Sequence, residues 1–212
     1  MTATPIPRTL SITTFGDMDV SIIREMPKGR RPVITSWHTF DELDYVMSEV
    51  RRALNAGHST YVVAPLIEES ETQDLKNVSE IYQTFVSAFG EETVELVHGR
   101  MKPEEKRRGM ELFETLEKKV LISTTVIEVG INVPNATMMV IFNAERFGLS
   151  TLHQLRGRVG RSDKQSHCLL VSQPETDNAK LRMEIMTSTS DGFELSERDL
   201  EMRGPGDFFG VR

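Results

Sequence analysis

From residue 32 onward the chain switches hydrophobic period at regular intervals, and this alternation restricts the possible folds more than any other feature. Residues 32–37 form a short run suited to a strand. Asp41 then stands where a helix cap belongs, and Leu43, Val46, Met47, Val50 and Leu54 share one face of a 3.6-residue period that Gly57 ends. Residues 59–66, with Tyr61, Val62 and Val63, read as a second strand. Beyond the acidic connector EESETQD, Val78, Ile81, Tyr82, Phe85 and Phe89 make a second amphipathic helix, stopped by Gly90. Residues 93–97 form a third strand, and Pro103 suits the first turn of another helix. Glu104 and Glu105 sit near that helix's positive end, and Met110, Phe113 and Leu116 form its apolar stripe. Further short apolar runs occupy 120–124, 137–142 and 167–171.

Strands separated by helices return to a sheet by crossovers, which makes neighbouring strands parallel and puts helices on both faces. The predicted class is therefore α/β, a doubly wound, mostly parallel sheet. Such sheets bind ligands at the carboxyl ends of their strands. Three polar segments fall there: APLIEES, HGRM and STTVIEVGINVPNA.

The flanks differ from this middle. Residues 1–31 hold two X-Pro units, a possible short strand at 10–14 and a basic, turn-rich linker ending at Pro32. Residues 173–212 lack strand periodicity. Leu181, Ile185 and Met186 mark one helix, TSTSDG a break, 195–202 a second helix, and RGPGDFFGVR a glycine-rich loop. The expected organisation is a lead-in over 1–31, an α/β domain over 32–172 and a helical hairpin with a loop over 173–212.

Composition adds limits. The chain has 212 residues, 38% of them apolar, enough for a buried core. No apolar run approaches the ~20 residues that cross a bilayer, and the first residues lack the order of a signal peptide, so a cytoplasmic protein is expected. Cys168, the single cysteine, lies inside an apolar run and reads as a buried strand residue, and the five histidines are scattered, so no metal site is expected. A net charge of −7 argues against a surface that coats nucleic acid on its own.

Against that charge, STLHQLRGRVGR at 150–161 concentrates Arg156, Arg158 and Arg161 around Gly157 and Gly160. Leu152 and Leu155 stand three apart, as on one face of a short helix, and the glycines allow a tight turn or a close approach. Guanidinium forks match phosphate oxygens. A solvated basic turn is the plain alternative for so short a string.

The full pattern Q-x-x-G-R-x-G-R resembles motif VI of superfamily 2 helicases and translocases, and NAERFGLSTLHQLRGRVGRSDKQSHCLL resembles the RecG family of ATP-dependent DNA translocases. The resemblance implies a RecA-like fold, the second of two motor domains, followed by a translocation hairpin. TATPIPRTL is similar to motif III, which closes the first motor domain and places Thr2, Ala3 and Thr4 at its coupling positions. Pro65, Leu66 and Ile67 match motif IV, and His98 to Arg100 match a segment that faces DNA. ISTTVIEVGINVP is similar to motif V, which implies DNA contact at Thr124 and Thr125 and an approach of Gly130 and Asn132 to the ATP ribose. Asn132 departs from the family's usual aspartate there.

The same resemblance implies that Arg161, with Arg158, reaches across a cleft as an arginine finger, that Gln154 couples the sites, and that Arg203 acts in the hairpin. Arg156 occupies a variable position and receives no role. No G-x-x-x-x-G-K-[ST] loop and no Asp-Glu box following a strand is read in these residues, so the chain is expected to supply half of an ATPase site and to be inactive alone. ATP and Mg²⁺ would be bound mainly by a first RecA-like motor domain. The implied partners are that domain, a wedge domain and branched double-stranded DNA, in fork remodelling and Holliday-junction processing, with no membrane. The transcription-repair coupling factor shares motif VI and the hairpin. A non-catalytic α/β scaffold and a stand-alone nucleotide-binding enzyme are the readings from other classes.

Overall fold

The computed structural model describes residues 31–65, 71–124, 133 and 135–203, and the side chains of all of these but 71–76 and 203. Six strands form one sheet: β1 (Ile34–His38), β2 (Ser59–Val63), β3 (Val94–Val97), β4 (Val120–Ser123), β5 (Ala136–Phe142) and β6 (His167–Val171). Their order is β1-β6-β5-β2-β4-β3, and every pair is parallel. The helices are α1 (Leu43–Asn55), α2 (Glu71–Phe89), α3 (Pro103–Glu114), α4 (Leu149–Arg156), α5 (Asp177–Ser188) and α6 (Gly192–Arg203).

The two faces of the sheet are two cores. Successive side chains of a strand point to opposite sides, so Val62, Ile122, Val140 and Leu169 pack with Val46 and Val50 of α1 and Phe85 of α2. Tyr61, Val63, Leu121, Met139, Ile141, Cys168 and Leu170 pack with Phe113 of α3, Leu152 and Leu155 of α4, Met183 and Met186 of α5 and Leu195 of α6. All seven residues of β5 and all five of β2 are buried, as a parallel sheet covered on both faces requires. The C-terminal helical pair lies outside the sheet but inside the second core.

Gly57 and Gly90, with φ of +80° and +87°, end α1 and α2 as their position in the sequence predicts. Two local expectations change. Asp41 does not cap α1. It sits inside a single 3₁₀ turn, Phe40–Glu42, and Thr39 precedes that turn while the Glu42 carboxylate accepts from the Thr39 backbone N–H at 2.9 Å. Leu116 does not extend the stripe of α3, because the helix ends at Glu114 and Leu116 turns away with φ of +64°. Residues 10–14 and the linker at 27–30 lie outside the described residues, as do Leu66 and the loop from 204 onward.

Candidate functional site

The carboxyl ends of β2, β4 and β3 lie side by side, and they bring together four of the residues singled out by sequence. Pro65 is buried just after β2. Thr124, 5% exposed, follows β4 and takes a hydrogen bond on Oγ1 from the Gly99 N–H at 3.4 Å. His98 and the exposed Arg100 follow β3. The backbone carries this register: the Ala64 N–H donates to Ser123 O at 3.0 Å, and the Thr124 N–H donates to Val97 O at 3.4 Å. The His98 Nδ1 atom is buried without a hydrogen-bond partner, an orphaned polar atom of a kind that native structures seldom leave unexplained. Lys106, which sequence reasoning did not single out, donates from Nζ to Gly99 O at 2.6 Å and adds positive charge beside His98. Its signal was its place on the first full turn of α3, three residues after Pro103.

The arginine stretch is elsewhere. Helix α4 begins after β5 and runs back along the sheet face that carries Tyr61 and Phe113, burying Leu149, Leu152 and Leu155. Its end is a hydrogen-bonded turn, in which the N–H groups of Gly157, Arg158 and Val159 donate to the carbonyls of His153, Leu155 and Arg156. Gly160 then adopts φ of +74°, and its N–H donates to Ser166 Oγ at 3.1 Å. A Cβ there would lie 2.7 Å from Val33 Cγ2, so both the backbone angle and the space call for glycine.

From this turn Arg158 and Arg161 act electrostatically on the buried Tyr61 hydroxyl, opposing the rise in its pKa that burial causes. Arg161 donates from Nε to Gly157 O at 3.3 Å, which folds the side chain back over the turn. Arg158 is half-buried and forms no ion pair with any described residue. Gln154, also half-buried, lies on α4 one residue before Leu155. The two finger candidates are thus on one turn with Gln154 on the helix leading into it, and they are separate from the strand-end group.

Val133, the one described residue between 125 and 134, is buried in the same core as Tyr61 and Phe113. Thr125, Gly130 and Asn132 themselves lie outside the described residues, as do Thr2 and Thr4. The side chain of Arg203 does too, although its backbone ends α6.

Sequence reasoning missed Arg156 and Arg182. Arg156 is 4% exposed and hydrogen-bonded to β1, to the end of α5 and to Thr189 just after it, and burial holds its pKa below the usual value. Arg182 on α5 donates from Nη1 to Glu145 O at 2.7 Å and Phe147 O at 2.9 Å, which fastens the hairpin to the turn before α4. Cys168 is fully buried on β6, and its thiol is pushed up to about 12 by that burial. Among the described residues no group of acidic, histidine or cysteine side chains is arranged to hold a metal, and no helix is long and apolar enough to cross a membrane.

Comparison with known proteins agrees with this geometry. The model of the helicase conserved C-terminal domain matches residues 41–163. An ATP-dependent DNA helicase RecG from Staphylococcus epidermidis is 58% identical over the whole of this chain, which spans 31% of that relative's length. A solved structure of RecG bound to a three-way DNA junction is 42% identical, with a TM-score of 0.81 over 99% of this chain and 27% of that one. Domain 2 of the DEAD-box helicase Mss116p, solved on an RNA duplex, shares the fold at 13% identity, with a TM-score of 0.56 over 79% of this chain and 68% of its own. The chain therefore belongs to the helicase conserved C-terminal domain family, in the form found in RecG.

Proposed function

We propose that this chain is the second RecA-like motor domain, with its translocation hairpin, of an ATP-dependent DNA helicase that moves on double-stranded DNA and remodels branched DNA. Residues 1–31 end the first motor domain and its linker, 32–172 are the motor domain, and 173–212 are the hairpin and loop. One observation carries the reading: Arg158 and Arg161 are held on a turn whose conformation Gly160 fixes, close enough to Tyr61 of β2 to act on its hydroxyl. The Arg158 guanidinium, half-buried and without an ion pair among the described residues, suits a nucleotide phosphate held by another domain.

ATP, bound with Mg²⁺ mainly by the first motor domain, supplies the phosphoryl group whose transfer to water builds negative charge on the γ-phosphate oxygens. Arg161 and Arg158 stabilise that charge from across the cleft, while the rigid base of α4 spares them reorganisation as it develops. Gln154 relays between nucleotide and DNA. Pro65, His98, Arg100 and Thr124 line the strand ends, where a DNA backbone would meet two positive side chains, Arg100 and Lys106. Backbone contacts of this kind position a duplex without reading its sequence. Branched DNA as the substrate is supported by the RecG relative solved on a three-way junction. Branch selection is assigned to a wedge domain of the parent protein. A cytoplasmic, nucleoid-associated protein fits this role.

The test is Arg161→Ala in the full-length parent. DNA-stimulated ATP hydrolysis is expected to fall about a hundredfold or more, the scale of a finger's contribution, with ATP binding retained. Unchanged hydrolysis, or none in the unmutated parent, would replace this reading with that of an inactive scaffold.

A further inference from the structure

Arg156 is the one buried arginine on the described part of the chain, and it has an unusual set of partners. Its Nη1 donates to Thr35 Oγ1 at 3.3 Å on β1, to Met186 O at 3.0 Å and to Thr189 O at 2.9 Å, and its Nη2 lies 3.3 Å from His153 Nδ1. No carboxylate is among them. Burying an unpaired charge is costly unless polar groups replace the lost water. Here the replacements are mostly carbonyls at the C-terminal end of α5, where a helix leaves its last acceptors unpaired and carries partial negative charge. Arg156 therefore serves as a cap for α5, donated by another helix.

The position of the contact matters more than its strength. Thr189 opens the link of three residues, 189–191, that leads into α6, and Asp191 then accepts the Phe193 N–H at 2.8 Å to start that helix. At the other end, Arg156 is two residues before Arg158 and five before Arg161, and the intervening backbone is tied by the turn hydrogen bonds described above. One guanidinium nitrogen, Nη1, reaches β1, the end of α5 and the link together, and the planar group fixes the directions of its N–H bonds. A lysine ammonium on a flexible stem lacks that fixed plane and would hold the same acceptors more loosely.

We infer that Arg156 is a positioning residue: it locks the link between α5 and α6 to the turn that carries Arg158 and Arg161, so that a shift of the turn on closing around an anion moves the hairpin with it. The inference rests on the functional reading above and adds to it the residue that carries the coupling. Arg156 touches neither nucleotide nor DNA in this scheme.

The experiment compares Arg156→Met and Arg156→Lys with the unmutated full-length protein. DNA-stimulated ATP turnover and branch migration of a synthetic fork are measured under one set of conditions, and the readout is base pairs moved per ATP hydrolysed. The expected result is a fall in that ratio of about tenfold for Arg156→Met, at the upper part of the range for residues that link sites, and a smaller fall for Arg156→Lys. Equal loss of both activities, or loss of neither, overturns the inference, because a merely structural role would not change the ratio. If Arg156→Met fails to fold, Arg156→Lys and Thr35→Val, which removes one acceptor, carry the same comparison. A parent without DNA-stimulated ATP turnover overturns the functional reading instead. Hydrogen exchange then decides the lock on its own: amides at 186–195 must lose protection in Arg156→Lys while those of β5 keep theirs, and unchanged protection at 186–195 refutes it.

Discussion

Tyr61 and Cys168 face the same core from β2 and β6, 2% and 0% exposed, and burial raises both to about 12, with nearby arginines pulling the other way. An unfolded thiol ionises near pH ~8.5 and an unfolded phenol near ~10. Between those values and about 12 the unfolded chain has released protons that the folded chain keeps. Stability should therefore be unaffected by these groups below pH ~8 and fall by several kcal/mol as pH rises toward 12. Urea midpoints near pH 8 and pH 11 would measure the drop, and Cys168→Ala should shrink it; a flat profile would refute the assignment. At Gly160, Gly160→Ala forces a side chain into a left-handed backbone and against Val33. We expect a loss of about 1–3 kcal/mol, read from the same urea titration, together with a weaker response of ATP turnover to DNA in the parent.

At the scale of elements, the Thr176 hydroxyl caps α5 by accepting the Ala179 N–H at 3.2 Å. Thr176→Ala should cost about 1 kcal/mol in a thermal melt, and a change under a few tenths would mean that the cap is not formed in solution. The elements themselves were legible because their apolar periods reflect burial: Val46 and Val50 of α1 and Phe85 of α2 fall on the side the pattern predicts, and all meet the sheet. The error at Asp41 has a sequence explanation. Thr39 and Glu42 are spaced as a reciprocal cap, and the acidic residue between them was the weaker signal. Leu116 misled because apolar spacing continues past the point where the backbone leaves the helix. The site was legible in part. His98 and Thr124 follow strands that pair, so they meet, whereas two of the acceptors of Arg156 are backbone carbonyls 30 and 33 residues away. Every residue type carries a carbonyl, so no side-chain pattern points to that partner.

At the scale of the whole molecule, the described sheet is covered on both faces, and in the reading proposed above the chemistry is divided between domains. Both faces are covered and six strands pair in register, so the isolated chain should unfold cooperatively in urea yet hydrolyse no ATP. Measurable turnover by the isolated 212 residues would contradict the assignment of the phosphate-binding groups to another domain. The strand order has a further consequence, for synthesis. Among the described residues β1 has one neighbour, β6, with Ile34 opposite His167 and His38 opposite Val171. On a ribosome adding ~5–20 residues per second, the earlier strand waits roughly 7–27 s for its partner. For that interval Ile34 and Trp37 belong to an unpaired segment beside a growing polypeptide, open to capture by chaperones or by a neighbouring nascent chain, and β1 is then the last strand to join the sheet.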